Sequence, residues 1–194
     1  MPFLFPARVL SCHTSFTYLW LMMKALVLEA KNVLPNCTTV EAPIANRGQT
    51  LVALSAASLN HRDVWIMKGQ YPSIRFPLIL GSDGAGVSEG REIVIQPGIG
   101  WGADERYQTN GYQILGLPQN GTFAEQVVVD RSQLFPKPIH LNMEQAAGLP
   151  LAGLTAYRVL FSRCKARAPS TTSSMLRGVG GDPAAVMRDL RLTR

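Results

Sequence analysis

The sequence predicts a strand-rich α+β domain, built as a partly open β-barrel with short helices. Three observations lead there. From Met23 onward, short β-branched and apolar runs recur between Gly, Pro and Asn residues. Only two stretches before residue 165 have helical character. The strands do not alternate with long helices, as a parallel sheet would require.

Lys24–Glu29 and Thr50–Ser58 are apolar or β-branched runs with the turn residues Pro43, Asn46 and Gly48 between them, the pattern of a strand pair. A short helix is expected at about His61–Lys68, opened by Asn60, a strong cap residue. Gly81-Ser82-Asp83-Gly84-Ala85-Gly86-Val87 reads as a Gly-rich turn whose backbone can approach a pocket closely. Glu92–Gln96 and Phe123–Val129 read as buried strands. A longer helix is expected from near Asn142, with Glu144 in its first turn, past Pro150 to about Phe161.

The formal charge of +6 is unevenly spread. Residues 23–162 hold 11 Lys/Arg and 11 Asp/Glu, whereas residues 163–194 hold seven basic residues against Asp182 and Asp189. The basicity therefore belongs to the end of the chain and does not mark the body as a nucleic-acid or membrane binder. No aromatic residue follows Phe161, so the arginines there lack the stacking platform of a single-strand binder. Residues 1–22 are too short and too broken by Pro6, Arg8 and His13 to span a bilayer. Cys12, Cys37 and Cys164 are too few and too scattered for a disulfide framework or a zinc knuckle.

These features divide the chain into an extension at 1–22, a body at 23–164 and a basic tail at 165–194. The extension has neither the basic start of a secretory signal nor the several arginines of a transit peptide. Cytoplasmic location is expected, with mitochondrial targeting through residues 1–22 as the alternative. In the tail, Gly178-Val179-Gly180-Gly181 is followed by Asp182-Pro183, has no apolar strand before it and no acidic residue about twenty positions on. It is a poor dinucleotide fingerprint. The tail is expected to be disordered or aberrant.

Three segments taken together, Ser58-Leu59-Asn60-His61-Arg62-Asp63, Gly81 to Val87, and Asn120-Gly121-Thr122-Phe123-Ala124-Glu125, resemble the N-terminal GroES-like half of the medium-chain dehydrogenase/reductase superfamily. Zinc alcohol dehydrogenases of that superfamily write the middle segment Gly-His-Glu-x-x-Gly and carry a zinc-binding Cys in the first. Here Ser82 and Asp83 replace the His and Glu, and Asn60 replaces the Cys. Zinc prefers thiolate and imidazole. The cysteine cluster of the structural zinc lobe is also lacking between Pro97 and Leu117. The resemblance thus implies the zinc-independent, quinone-oxidoreductase-like branch. It covers roughly Met23 to Cys164 and leaves the nucleotide-binding Rossmann domain largely missing.

The resemblance implies hydride transfer between NAD(P)H and a carbonyl, enone, alcohol or quinone, a small-molecule substrate, with no zinc. Asn60 is placed to hydrogen-bond a substrate oxygen, or else to cap the helix it precedes. His61 is a candidate proton shuttle or a surface residue at the helix start. Asp63 is expected to orient a neighbour by pairing with Arg62 or His61. Tyr71, Ser82 and Asp83 are the substrate-pocket candidates, with packing over a turn as the other reading of Tyr71. Thr155, in the segment Leu149 to Tyr157, is implied to lie near the nicotinamide, although a packed core helix accounts for the same small residues. Without a complete nucleotide-binding fold the chain is expected to be inactive alone, to bind NAD(P)H poorly and to be prone to self-association. A non-catalytic module acting through protein contacts is the alternative.

Overall fold

A computed structural model describes residues 22–104 and 106–164. The extension before Met22, the tail from Lys165 and the Gly178–Gly181 cluster lie outside the described residues. The strands are β1 (Met22–Leu28), β2 (Asn36–Glu41), β3 (Gln49–Ser58), β4 (Leu78–Ile79), β5 (Asp83–Ser88), β6 (Arg91–Ile95), β7 (Gly98–Ile99), β8 (Gln113–Ile114), β9 (Gln126–Asp130) and β10 (Leu134–Pro136). The helices are α1 (His61–Met67), α2 (Met143–Ala147) and α3 (Pro150–Tyr157), with a π-helical turn at Arg158–Arg163. No helix among the described residues is long and apolar enough to cross a membrane.

One sheet has the order β2-β1-β4 and a larger one β10-β6-β5-β3-β9, all antiparallel; β7 and β8 form a small ribbon. The segment just before β9 joins the two sheets. Leu26 N–H donates to Phe123 O at 2.8 Å, Glu125 N–H to Lys24 O at 3.0 Å, and Leu54 N–H to Glu125 O at 2.9 Å. Residues 123–125 therefore bond to β1 on one side and β3 on the other, curling the sheets into the expected half-barrel.

Period-2 burial drives this closure. In β1, Met23, Ala25 and Val27 point inward while Met22 and Leu26 are exposed. Val52, Ile93, Ile95, Leu115, Val127 and Val129 fill the interior beside the large sheet. Leu28, Ile66, Leu78, Leu80 and Leu117 form a second cluster that fastens α1 to the barrel. Leu28 is fully buried there. Leu28→Ala should destabilise the domain by about 2–5 kcal/mol and lower its melting temperature by roughly 6–20 °C in a thermal unfolding scan.

The structure corrects the sequence reading in three places. Lys24–Glu29 and Thr50–Ser58 are strands, but they do not pair with each other: β1 pairs with β2 and β4, and β3 with β5 and β9. The missed partner β2, Asn-Cys-Thr-Thr-Val-Glu, is an edge strand with little apolar signal. The supposed Gly-rich turn is mostly strand β5. Its glycines serve close strand packing at a bulge in β3, since a Cβ on Gly86 would lie 2.1 Å from Ala53 O. Finally, the long helix expected from Asn142 to Phe161 is broken at Gly148-Leu149. Pro150 starts a new helix at its first turn, where a missing N–H is harmless.

Candidate functional site

The site grows from the end of β3. The chain leaves the sheet at Ser58, Asn60 takes the extended N-cap conformation, and α1 begins at His61. Asn60 and Asp63 form a capping box in which Asp63 Oδ2 accepts the Asn60 backbone N–H at 2.8 Å. Asp63 Oδ1 reaches across to Gly81 N–H at 3.4 Å. Both Asp63 contacts are thus backbone amides rather than the expected Arg62 or His61. Consecutive helix residues point about 100° apart, so neither neighbour can face it, whereas the N-cap amide three residues back can. Burial raises the Asp63 carboxyl above its ordinary value, opposed by these two N–H groups and by the Arg62 charge.

Asn60 also turns its side chain to the site. Asn60 Nδ2 donates to Asp83 Oδ2 at 3.1 Å, and the other oxygen, Asp83 Oδ1, accepts Leu151 N–H in the first turn of α3 at 2.9 Å. Asp83 thereby ties the end of β3, the start of β5 and helix α3 together. Its backbone carbonyl accepts the Thr122 hydroxyl at 2.8 Å. The carboxylate is 1% exposed. Burial is the main cause of its rise from 3.8 to about 6; the N–H groups of Asn60 and Leu151 and the Arg62 charge oppose it, and the Asp63 charge adds to it.

Ser82 lies one residue away and is fully buried. Its hydroxyl donates to Leu115 O at 2.8 Å and accepts Arg62 Nη1 at 2.8 Å. Arg62 Nη1 also donates to Leu115 O at 2.9 Å. The ring of Tyr71, 37% exposed, stands 5.5 Å from the Arg62 guanidinium carbon. His61 projects outward on the exposed face of α1. Thr155 is exposed too, its hydroxyl donating back along α3 to Leu151 O at 2.7 Å.

The structure therefore links Asn60, Asp63 and Asp83 by hydrogen bonds, sets Ser82 beside Asp83 in a second group with Arg62 and Leu115 O, places the Tyr71 ring against Arg62, and leaves His61 and Thr155 out of this bonding. It adds two members that the sequence reading passed over: the buried side chain of Arg62 and the Leu151 amide. The signal for Arg62 is its place four residues before Ile66, on the inward face of α1. No sequence signal marks a backbone amide. Near the same loops an aromatic layer packs outward: Trp101 meets Tyr112 edge-on at 4.9 Å, and Arg158 lies 3.9 Å from the Trp101 ring centre.

A strand-rich, curled antiparallel half-barrel with few short helices is the architecture of a GroES-like dehydrogenase domain, and here its strand ends and first helix meet at the Asn60–Asp83 and Ser82–Arg62 pairs. Comparison with known proteins bears on the same residues: positions 46–139 match the alcohol dehydrogenase GroES-like domain. A zinc-type alcohol dehydrogenase-like protein of Schizosaccharomyces pombe is 33% identical over 150 residues, covering 70% of this chain and 43% of that protein. A mitochondrial NAD(P)H oxidoreductase of Dictyostelium discoideum is 27% identical over 173 residues, covering 82% of this chain and 46% of that protein. The crystal structure of an NAD-dependent alcohol dehydrogenase superposes with a TM-score of 0.70 at 36% identity, over 75% of this chain and 48% of that one. The chain belongs, through this GroES-like domain, to the medium-chain dehydrogenase/reductase superfamily. It spans somewhat less than half the length of each of these three relatives.

Proposed function

We propose that the domain forms the substrate side of a zinc-independent, NAD(P)-dependent hydride-transfer cleft acting on a carbonyl, enone, alcohol or quinone. The observation that carries this reading is that Asn60, Ser82 and Asp83, at the positions where the zinc enzymes of the superfamily place their metal ligands, meet in two adjacent hydrogen-bonded pairs, Asn60 with Asp83 and Ser82 with Arg62. These residues do not suit zinc. Asp83 is the one carboxylate at those positions, and both its oxygens already accept N–H groups. The Ser82 proton is engaged by Leu115 O, and a guanidinium sits 2.8 Å from the Ser82 oxygen, where it would repel a dication. Among the described residues no three His, Cys, Asp or Glu side chains are grouped for a metal. Purified, dialysed protein should carry far less than one zinc per chain by elemental analysis; a retained stoichiometric zinc would overturn this part of the reading.

The nicotinamide, when presented, supplies the hydride. On the protein's side, Asn60 keeps a second amide N–H beyond the one bonded to Asp83, a donor suited to a substrate oxygen. Tyr71 would wall the entrance. Helix α3, anchored to Asp83 through Leu151, would carry Thr155 toward the cofactor. The apolar trough lined by Ile95, Phe135, Leu149, Gly153, Leu154 and Tyr157 supports docking of a cofactor-presenting fold against this side, and self-association when that fold is absent. NADPH fluorescence titration of the chain alone should show no saturable binding at micromolar cofactor. The same titration on a version completed with a nucleotide-binding domain from a relative should saturate and support reduction of a quinone or enone. A completed protein that binds NADPH yet reduces none of these substrate classes would favour a non-catalytic module.

A further inference from the structure

Strand β2 presents an open hydrogen-bonding edge. In the order β2-β1-β4 its one neighbour among the described residues is β1, which it meets without a bulge from the pair Met22 and Glu41 to the pair Val27 and Asn36. The direction of its amides follows from the other side of β1. Leu26 N–H donates to Phe123 O, and Lys24 O accepts Glu125 N–H, so Lys24 and Leu26 turn these groups away from β2. Along an antiparallel strand, successive residues turn their N–H and C=O to opposite edges. Ala25 therefore faces β2 and bonds its register partner Thr38; by the same alternation Asn36 and Val40 spend their amides on β1. Cys37, Thr39 and Glu41 are left with N–H and C=O on the outer edge, where no bond to them is found among the described residues. All three are exposed.

Nothing within this strand discourages another strand from adding there. Exposed edges are ordinarily blunted by lysine, proline, a bulge or extreme shortness. Here six residues run without Lys, Pro or bulge, and prolines stand only outside them, at Pro35 and Pro43. The edge is also self-complementary. When two copies pair antiparallel about Thr39, Cys37 meets Glu41 of the second copy, Thr39 meets Thr39, and Glu41 meets Cys37, so each outward N–H and C=O finds a partner. Centring the pairing on Cys37 or on Glu41 would bring Pro35 or Pro43, which lack an N–H, against the edge. The second of these would also set the two Glu41 carboxylates directly opposite each other.

We propose that β2 is an association edge for a second copy of this chain, the two β2 strands pairing antiparallel about Thr39 to make one sheet continuous across both copies. Backbone hydrogen bonds supply the attraction, and the flanking prolines with the Glu41 charge set the register. The interface is narrow, so association is weak and depends on concentration. It uses none of the residues assigned to the hydride-transfer cleft and stands or falls apart from that reading.

Sedimentation velocity of the full chain, from micromolar to near-millimolar concentration, should show a reversible monomer–dimer equilibrium. Thr39→Pro removes an N–H that serves only the outer edge; it should leave the melting temperature near that of the wild type yet weaken the dimer about 10-fold or more. Thr38→Pro removes an N–H bonded to β1 and should instead destabilise the fold. Cross-linking reads the register, in a chain carrying Cys12→Ser and Cys164→Ser. Glu41→Cys sets a thiol opposite Cys37 of the second copy with Cα atoms ~5.5 Å apart, within disulfide reach, so mild oxidation should give a covalent dimer. Residues 37 and 41 of one strand lie about 13 Å apart and cannot close on each other, and the two Cys37 thiols of the dimer are as far apart, so Cys37 alone should not cross-link. A chain that stays monomeric throughout overturns the proposal. So does a dimer untouched by a folded Thr39→Pro, which would belong to another face such as the apolar trough, or a Cys37 that cross-links as readily without Glu41→Cys as with it. If Thr39→Pro fails to fold, the cross-linking decides by itself.

Discussion

Gly121→Ala should abolish stable folding of the domain, at a cost of about 4 kcal/mol or more. A Cβ at Gly121 would fall 1.9 Å from Gly81 O, 2.7 Å from Leu80 O and 2.8 Å from Gly116 Cα, all backbone atoms with nowhere to move. The contact lies inside a ladder: Gly121 N–H donates to Ile79 O at 2.8 Å, Thr122 N–H to Gly81 O at 3.0 Å and Phe123 N–H to Leu80 O at 3.0 Å. Pushing these segments apart would also strain Gly81 N–H from Asp63 and the Thr122 hydroxyl from Asp83 O, so the candidate site would be lost along with the barrel seam. Gly148→Ala is the control. Its new methyl would meet nothing closer than 3.7 Å, and the change should stay within about 0.5 kcal/mol. Circular dichroism melts of both variants decide the point: a cooperative Gly121→Ala transition near that of the wild type would mean that the seam yields more easily than its geometry implies.

The second large effect concerns Asp83 and pH. Its carboxyl is raised from 3.8 to about 6, chiefly by burial. The folded state therefore holds this proton more tightly than the unfolded chain does. The stabilisation that follows is fully present below about pH 4 and is lost as pH rises through about 6. The shift of about two units corresponds to roughly 3 kcal/mol, so at neutral pH the domain folds against the burial of an ionised carboxylate. Asp83→Asn removes the titration. It leaves one oxygen to serve the two donors Asn60 Nδ2 and Leu151 N, an offset of about 1 kcal/mol that does not vary with pH. The wild-type stability minus that of Asp83→Asn, from urea unfolding at a series of pH values, should fall by roughly 2–3 kcal/mol between pH 4 and pH 7. A flat difference would show that Asp83 is not the buried acid described here. The comparison cancels the titrating groups that do not interact with Asp83, while the coupling to Asp63 stays in the difference.

What the sequence by itself determined is local. The apolar run at Lys24–Glu29 was enough to place most of β1, because a short run bounded by turn residues can be read with no knowledge of the partner strand. Asn60, just past the end of an apolar run, announced the helix start through capping chemistry that acts over one turn, whereas the part of Asp63 in that cap came only with the structure. The family motifs then named most of the residues that meet at the site.

Tertiary structure decided the pairings and the inward face of α1. Strand β1 takes β2 and β4 rather than β3 because residues 123–125 occupy the position between β1 and β3, a contact about a hundred residues along the chain that no local pattern encodes. Strand β5 escaped notice because Gly84 and Gly86 carry no strand signal; Gly86 makes room for the backbone of β3 and Gly84 for the Leu54 and Thr122 side chains, neighbours visible only once those segments are in place. In the string His-Arg-Asp, Arg62 carries one faint signal, its place four residues before Ile66 on the same helix face. What buries it is the arrival of Ser82 and Leu115 from loops 20 and 53 residues away, which supply the acceptors without which a guanidinium would stay in water.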